Sequence, residues 1–384
     1  MADNNNGNLP LHNAFDDLVN RRRRQHSGGA QRSLVTLASS LGAVAIALII
    51  SALILAVTGK DPIAAYKKML DAGLTGDKLL ETMQRATPLM IAAVAVAIGF
   101  KMNLFNIGVE GQFLMGAFWA AVAGAYVHLP PVLHVTFCII VAMTAGAAWA
   151  SIAALLKVKR GVNEVITTIM LNSIALSLID WLFQEFFVVE VKGQLDSKTK
   201  ILPRSAWIPD LVKNQLTSFI LISLLVVFAF WVLVFKSRFG FRLRASGLNA
   251  VAARTAGISS QRMIVSSLLI SGAVAGLAGL PSLLGNVHAY GPTRPDGYGF
   301  KGIAVALLGR NHPIGIVTAA LLFGFLDSVA GPLQIEKIPQ SIVTVMQAII
   351  LLTVVIVNEA TTRWLNRRTA ERTSAALHVA GAAA

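Results

Sequence analysis

The feature that most limits what this chain can become is a series of apolar stretches, each long enough to cross a bilayer, that recurs along nearly its whole length. They fall at about residues 33–57, 86–102, 110–127, 131–156, 163–188, 218–235, 263–284, 314–330 and 341–357. A spanning helix needs about 20 predominantly apolar residues, and the hydrocarbon layer offers nothing to an open peptide group, so such stretches must be helical. A further piece, Gly302–Leu308, is too short to cross as an ordinary helix and reads as a half-helix or re-entrant segment. The expected fold is all-α and polytopic, with about ten membrane segments and both termini cytoplasmic.

Charge sets the orientation. Only 14% of residues are charged and 55% are hydrophobic; a soluble domain carries about 25% charged residues. Lys and Arg number 33 against 19 Asp and Glu, a net charge of +14. On a soluble domain that excess would suggest nucleic acid; here it lies where cytoplasmic loops concentrate it, and no nucleic-acid partner is expected. Residues 236–262 hold six basic side chains and no acidic one. The N-terminal stretch 1–32 carries Arg21, Arg22, Arg23 and Arg24, and the C-terminal stretch 359–384 carries Arg363, Arg367, Arg368 and Arg372. The division is a cytoplasmic tail at 1–32, a membrane domain at 33–358 with its cytoplasmic segment at 236–262, and a second tail at 359–384. The stretch after Arg24 is longer than a secretory h-region and other spans follow it, so it reads as a retained first helix. The single cysteine, Cys138, lies in an apolar run without a CxxC partner and reads as a small buried hydrophobe.

Two membrane segments are interrupted: Gly99–Gly116, broken around Asn103-Leu-Phe-Asn-Ile-Gly, and Gly299–Gly315, broken at Arg310-Asn-His-Pro. Broken segments in the two halves of a transporter point to its pathway, because irregular backbone survives at membrane depth only inside protein or beside water. Both begin Gly-Phe-Lys, a hint of internal repetition, and ten crossings split into two inverted halves of five. Residues 58–84 balance four Lys against four acids and suit an amphipathic helix at the outer surface.

Around the first break stand Asn106, Glu110 and Gln112. Asn106 fits a helix cap and Glu110 a first-turn acid beside the positive helix end; alternatively Glu110 or Gln112 faces a pathway, where intramembrane carboxylates concentrate. Asn172 bonds either a neighbouring helix or a solute. Asp180 and Glu185 lie near an outer helix end, and Asp327 could pair with a basic group such as Arg310. The seven histidines are scattered, and no HExxH, GxSxG or Walker A pattern occurs. No catalytic residue, metal site or cofactor is expected. Between Gly247 and Gly257, the small residues Ala250, Ala252, Ala253 and Ala256 suit either a helix that docks on another protein or a plain linker.

At these residues the sequence resembles ABC importer permeases for simple sugars and nucleosides. Asn106-Ile-Gly-Val-Glu-Gly-Gln112 is similar to that family's NIGxEGQ motif. Residues Ser246, Gly247, Leu248, Asn249, Ala250, Val251, Ala252, Ala253, Arg254, Thr255, Ala256, Gly257 and Ile258 resemble its ATPase-coupling segment, followed by Ser271-Gly-Ala-Val-Ala-Gly-Leu-Ala-Gly279. Gly297–Asn311 resembles a third block, and Asp61–Tyr66 with Arg85–Leu89 point to the nucleoside branch, partnered with a basic-membrane-protein type lipoprotein. The likeness covers about residues 61–357. Lys301 departs from it, standing where an acidic or polar residue is expected, and Met102-Asn103 replaces smaller residues. The resemblance implies a multi-pass subunit of the bacterial cytoplasmic membrane that is not itself an enzyme. Its implied partners are a cytoplasmic ATP-binding subunit, a second permease subunit, an extracytoplasmic substrate-binding lipoprotein and a small-molecule solute, a nucleoside. A pentose or other sugar as cargo, an ion-driven secondary transporter, and a membrane enzyme or scaffold are the competing expectations.

Overall fold

The computed structural model describes residues 42–189, 197–292, 297–335 and 338–382, without side chains for most residues beyond 364. The Arg21–Arg24 run and the start of the first span lie outside the described residues. The chain forms two units, one of residues 1–59 with 348–384 and one of residues 60–347.

In the first unit, α1 (Gly42–Val57) buries Ala43, Ala47, Ser51 and Leu55, a stripe at four-residue spacing. Among the described residues this unit also holds α14 (Gln340–Ala382) from residue 348 on, a single helix that continues well beyond the expected end of the last span at residue 357.

The second unit holds the remaining elements. After a short α2 (Pro62–Gly73), capped by the Asp61 carboxylate, comes α3 (Gly76–Lys101). The sequence places the start of this span at residue 86; the helix begins ten residues earlier. Its charged first turns are held by local pairs, Lys78–Glu81 at 2.5 Å and Arg85–Glu81 at 2.7 Å, which let polar residues continue a membrane helix. α4 (Val109–Tyr126), α5 (Pro131–Arg160) and α6 (Glu164–Leu182, wound on to Phe187) follow. A small hairpin, β1 (Asp210–Val212) with β2 (Leu216–Thr217), leads to α7 (Phe219–Trp231, wound on to Lys236). The basic segment forms α8 (Arg238–Leu248) and α9 (Ala250–Thr255). α10 (Ser260–Gly276) continues through the single turn α11 (Leu280–Ser282) to Val287. The short α12 (Tyr298–Leu308) and α13 (Pro313–Ile335) complete the unit with the first turns of α14.

Among the described residues, seven helices are long and apolar enough to cross a membrane: α3, α5, α6, α7, α10 with its continuation, α13 and α14. Of the other segments read from the sequence, α4 is less apolar and α12 shorter, and the first is described only from Gly42 onward. α3 is central: residues 89–98 are all buried, against α13, α12, α10 and α7. In α5 and α6 only 28% of the apolar window is buried, so their outer faces suit lipid. Cys138 is buried in α5.

Small residues let the inner helices approach. A Cβ on Gly116 of α4 would lie 2.5 Å from the Gly276 Cα of α10, and Gly146 and Gly272 meet where α5 crosses α10. Without a hydrophobic drive between helices in lipid, such close backbone contact is a main source of association. Gly276→Leu is therefore expected to prevent stable folding, at a cost above the roughly 1–3 kcal/mol of ordinary overpacking. Loss of the full-length chain from the membrane fraction checks it; normal abundance would contradict it.

The two Gly-Phe-Lys sequences are not structural counterparts. One ends α3 and the other lies in the first turns of α12, so the hint of repetition they gave is corrected.

Candidate functional site: a junction between two half-helices

The first break folds back on itself. Beyond Lys101 the chain turns through Asn103, in the left-handed region at φ 58°, and returns alongside α3 before α4 starts. Asn106, 1% exposed, donates from Nδ2 to Gln112 Oε1 at 2.9 Å and to Ser271 Oγ of α10 at 2.8 Å. Its Oδ1 accepts from Gly108 N and from Gln112 Nε2, both at 3.1 Å. Ser271 in turn donates to the Ala95 carbonyl of α3 at 2.6 Å. Asn172 of α6 accepts from Gly111 N at 2.9 Å and donates to the Ile107 carbonyl at 3.0 Å.

Glu110 reaches a different helix. Its Oε1 accepts from Gly297 N at 2.6 Å and its Oε2 from Gly299 N at 2.7 Å, the opening turn of α12. Gly297 adopts φ 74°, and a Cβ on Gly299 would lie 2.6 Å from the Glu110 Cα. The N-termini of α4 and α12 thus converge on one 7%-exposed carboxylate. Two positive helix ends oppose each other unless an anion lies between them, and charge-assisted bonds to backbone amides are the strong kind. The four polar residues read from the sequence, Asn106, Glu110, Gln112 and Asn172, all come to this junction, and the bonds described for them run to protein groups. Ser271 and Gly297 complete it.

Asn106→Leu tests the junction. It would strand the Gln112 amide and the Gly108 N–H and leave Ser271 only its bond to Ala95. With about 1–3 kcal/mol for a buried polar group left without a partner, a fall in thermal stability of the purified chain is expected. An unchanged melting temperature would contradict it.

A second polar cluster lies between α12 and α13. Lys301 Nζ bonds both oxygens of Asp327, at 3.0 and 2.8 Å, and Gln347 Nε2 donates to Asp327 Oδ1 at 2.9 Å. The partner of Asp327 is Lys301 rather than Arg310. The departure at Lys301 from the family pattern is thus balanced by a neighbouring acid.

At the end of the bundle opposite the basic segment, two adjoining cavities of about 570 and 330 Å³ share Asn214, Gln215 and Asn286. The outer one is bordered by Trp207 and His288, stacked at 3.7 Å and 7°. Burial pushes the His288 imidazole below its ordinary range against the pull of Asp210. The inner cavity extends past Gln84, Arg85 and Ser282 to Tyr298, the first residue of α12. The Tyr298 ring lies 5.9 Å from Phe113, one turn beyond Glu110 on α4. These lining residues had no motif to mark them; amides scattered through loops and helix ends carry no periodic signal.

The basic segment is anchored and exposed at once. Met102, Leu104, Ala154, Leu243 and Leu268 form a buried cluster that binds α8 to α3, α5 and α10. Ser246 is 4% exposed, and Gly247 presses on the backbone of Lys101 and Met102. Asn249 caps α9, accepting from Val251 N and Ala252 N at 3.0 Å each. Gly257, at φ 77°, ends it, and Ile258 N bonds the Ala253 carbonyl at 2.9 Å. Ala253 faces inward at 4% exposure, whereas Ala250, Ala252, Arg254, Thr255 and Ala256 are exposed, with Leu248 at 88% and Val251 at 72%. Apolar side chains this exposed beyond the membrane helices suit a partner surface.

A bundle of apolar spans, broken helices meeting at a polar junction, a polar cavity and an exposed helix on the basic segment define a multi-pass membrane transport subunit. The chain belongs to the permease family described as "Branched-chain amino acid transport system / permease component", whose model matches residues 78–355. It is 37% identical over 321 residues to the guanosine ABC transporter permease protein NupP of Bacillus subtilis, covering 81% of this chain and 90% of that one. It is 33% identical to the nucleoside ABC transporter permease protein NupB of Lactococcus lactis, over 80% of this chain and 88% of that one. It is also 32% identical to the glucose ABC transporter permease protein TsgB13 of Haloferax volcanii, covering 80% and 83%. This chain is an ABC transporter permease component, a transport subunit rather than an enzyme.

Proposed function

We propose that this chain forms the membrane pathway of an ATP-driven importer for nucleosides. The observation that carries the reading is its similarity, over four-fifths of its length, to permeases named for guanosine and for nucleosides. A nucleoside is neutral and offers many hydrogen-bonding groups, which amide and hydroxyl groups such as Asn214, Gln215, Asn286, Ser282 and Tyr298 can match without a compensating charge. In this reading the solute enters between Trp207 and Tyr298 and is held above the junction of α4 and α12. Asn106, Glu110, Gln112 and Asn172 then form the wall and latch of the pathway.

Energy enters from the other end. The exposed face of residues 246–258 docks into a cytoplasmic ATP-binding subunit, and ATP-driven closure of that partner pushes on α8 and α9. The cluster of Leu243 with Met102, Ala154 and Leu268 carries the push to α3, α5 and α10. From there Ser271 and Ala95 hand it to the junction. The complete importer also contains a second permease subunit and an extracytoplasmic substrate-binding lipoprotein.

Uptake of labelled guanosine, uridine, ribose and glucose by cells with and without the chain tests the cargo. Nucleoside uptake should disappear on deletion and be competed by other nucleosides. Loss of sugar uptake alone would replace the cargo while keeping the permease.

A further inference from the structure

We infer that Lys101 and Arg244 form, with the Phe235 ring, a binding site for a phosphate-bearing anion, occupied by the headgroup of an inner-leaflet anionic phospholipid. The Lys101 Nζ lies 5.2 Å from the centroid of Phe235 and the Arg244 guanidinium 5.6 Å from it. The His312 ring meets the same ring in a T-shaped arrangement, their centroids 5.7 Å apart. Two cations are held around one ring, yet neither is paired with a carboxylate among the described residues. Arg244 also donates to the Val234 carbonyl, which satisfies one of its donors without neutralising it.

Two cations gathered on one ring repel each other, and an aromatic face offsets only part of that repulsion. An anion bound beside both cations lowers it. The ligand class follows from where the groups stand. Lys101 ends α3, Phe235 lies in the last turn of the span that begins with α7, and His312 immediately precedes α13. Three cytoplasmic helix ends therefore meet at the level of the headgroups, where basic residues attract anionic lipid. Lys101, Arg244 and Phe235 are half-buried while His312 is exposed, so the site opens to one side. The exposed apolar side chains Leu248 and Val251, which suit a protein partner, lie further along the α8–α9 segment. An acidic side chain of the ATP-binding subunit is thus the less favoured occupant.

The site bears on coupling through the chain itself. Lys101 and Met102 carry the backbone on which Gly247 presses, and Arg244 lies one turn before Gly247 on α8. A bound headgroup would brace the root of the α8–α9 segment.

Native mass spectrometry of the detergent-purified chain tests the proposal, with phosphatidylglycerol and phosphatidylethanolamine supplied in equal amounts. Wild type should retain the anionic lipid preferentially. Lys101→Gln should lower that preference about fivefold, and Arg238→Gln, at an exposed cation of the same segment, should leave it nearly unchanged. Because Lys101→Gln could disturb folding, wild type carries an independent arm: phosphatidylglycerol should raise its melting temperature and phosphatidylethanolamine should not. Equal retention of both lipids, or a preference indifferent to Lys101, would overturn the site. Displacement by millimolar inorganic phosphate as effective as by lipid would assign it to a soluble anion instead. Loss of the copurifying ATP-binding subunit with lipid preference intact would assign the cations to that partner.

Discussion

Glu110→Ala should abolish uptake, the largest effect expected of any single side chain in the membrane. The substitution strands the amides of Gly297 and Gly299, both bonded to this carboxylate. At about 1–3 kcal/mol for each buried donor left unpaired, the loss approaches a sizeable share of a typical total stability of about 5–15 kcal/mol. It also removes the anion between two converging positive helix ends. The conservative variant separates chemistry from packing. Glu110→Gln keeps the shape and one acceptor but turns an NH₂ toward a backbone N–H, so uptake should fall at least about tenfold while the chain still reaches the membrane. A first-turn acid acting only on its own helix would make the same change nearly silent, worth at most about 1 kcal/mol. Membrane abundance with uptake rate distinguishes the two. Wild-type uptake in Glu110→Ala would show that the amides find other partners and would remove the latch.

The second large effect belongs to the exposed helix α9 of the basic segment. Ala252→Glu should eliminate ATP-dependent uptake with normal membrane abundance, because Ala252 is exposed on α9 next to Val251, and a charge there opposes docking of an apolar face. Ala253, its neighbour, is the wrong place for this test: at 4% exposure a charge would disturb folding first. ATP-driven uptake that survives in Ala252→Glu would remove the segment from the coupling role.

The sequence made the architecture legible because bilayer thickness and peptide hydrogen bonding leave so few choices. Most spans lie within a few residues of their expected places, and the short Gly302–Leu308 piece is a half-helix, α12. What the pattern could not give was the start of α3. Lys78, Glu81 and Arg85 read as a polar surface segment until their mutual pairing is seen. At the junction, local pattern named Asn106, Glu110, Gln112 and Asn172 but not what they touch. Gly297 is 187 positions from Glu110 and Ser271 is 165 from Asn106, and no periodicity reports partners that distant. Both readings offered for Glu110, a helix-start acid and a pathway residue, missed its bond to another helix. The glycines of 271–279 stood out only as a motif; their contacts with α4 and α5 give the physical reason. The two adjoining cavities, lined between them by residues of α3, the β hairpin and the continuation of α10, were not legible at all.

The central claim, ATP-driven passage of a nucleoside through this chain, is tested most directly in proteoliposomes holding the chain with its copurified partners. Labelled guanosine should be transported into the vesicles only when ATP is available to the ATP-binding subunit, unaffected by collapsing proton and sodium gradients and lost in Ala252→Glu. Transport that proceeds without ATP and fails when a gradient is dissipated would contradict the account.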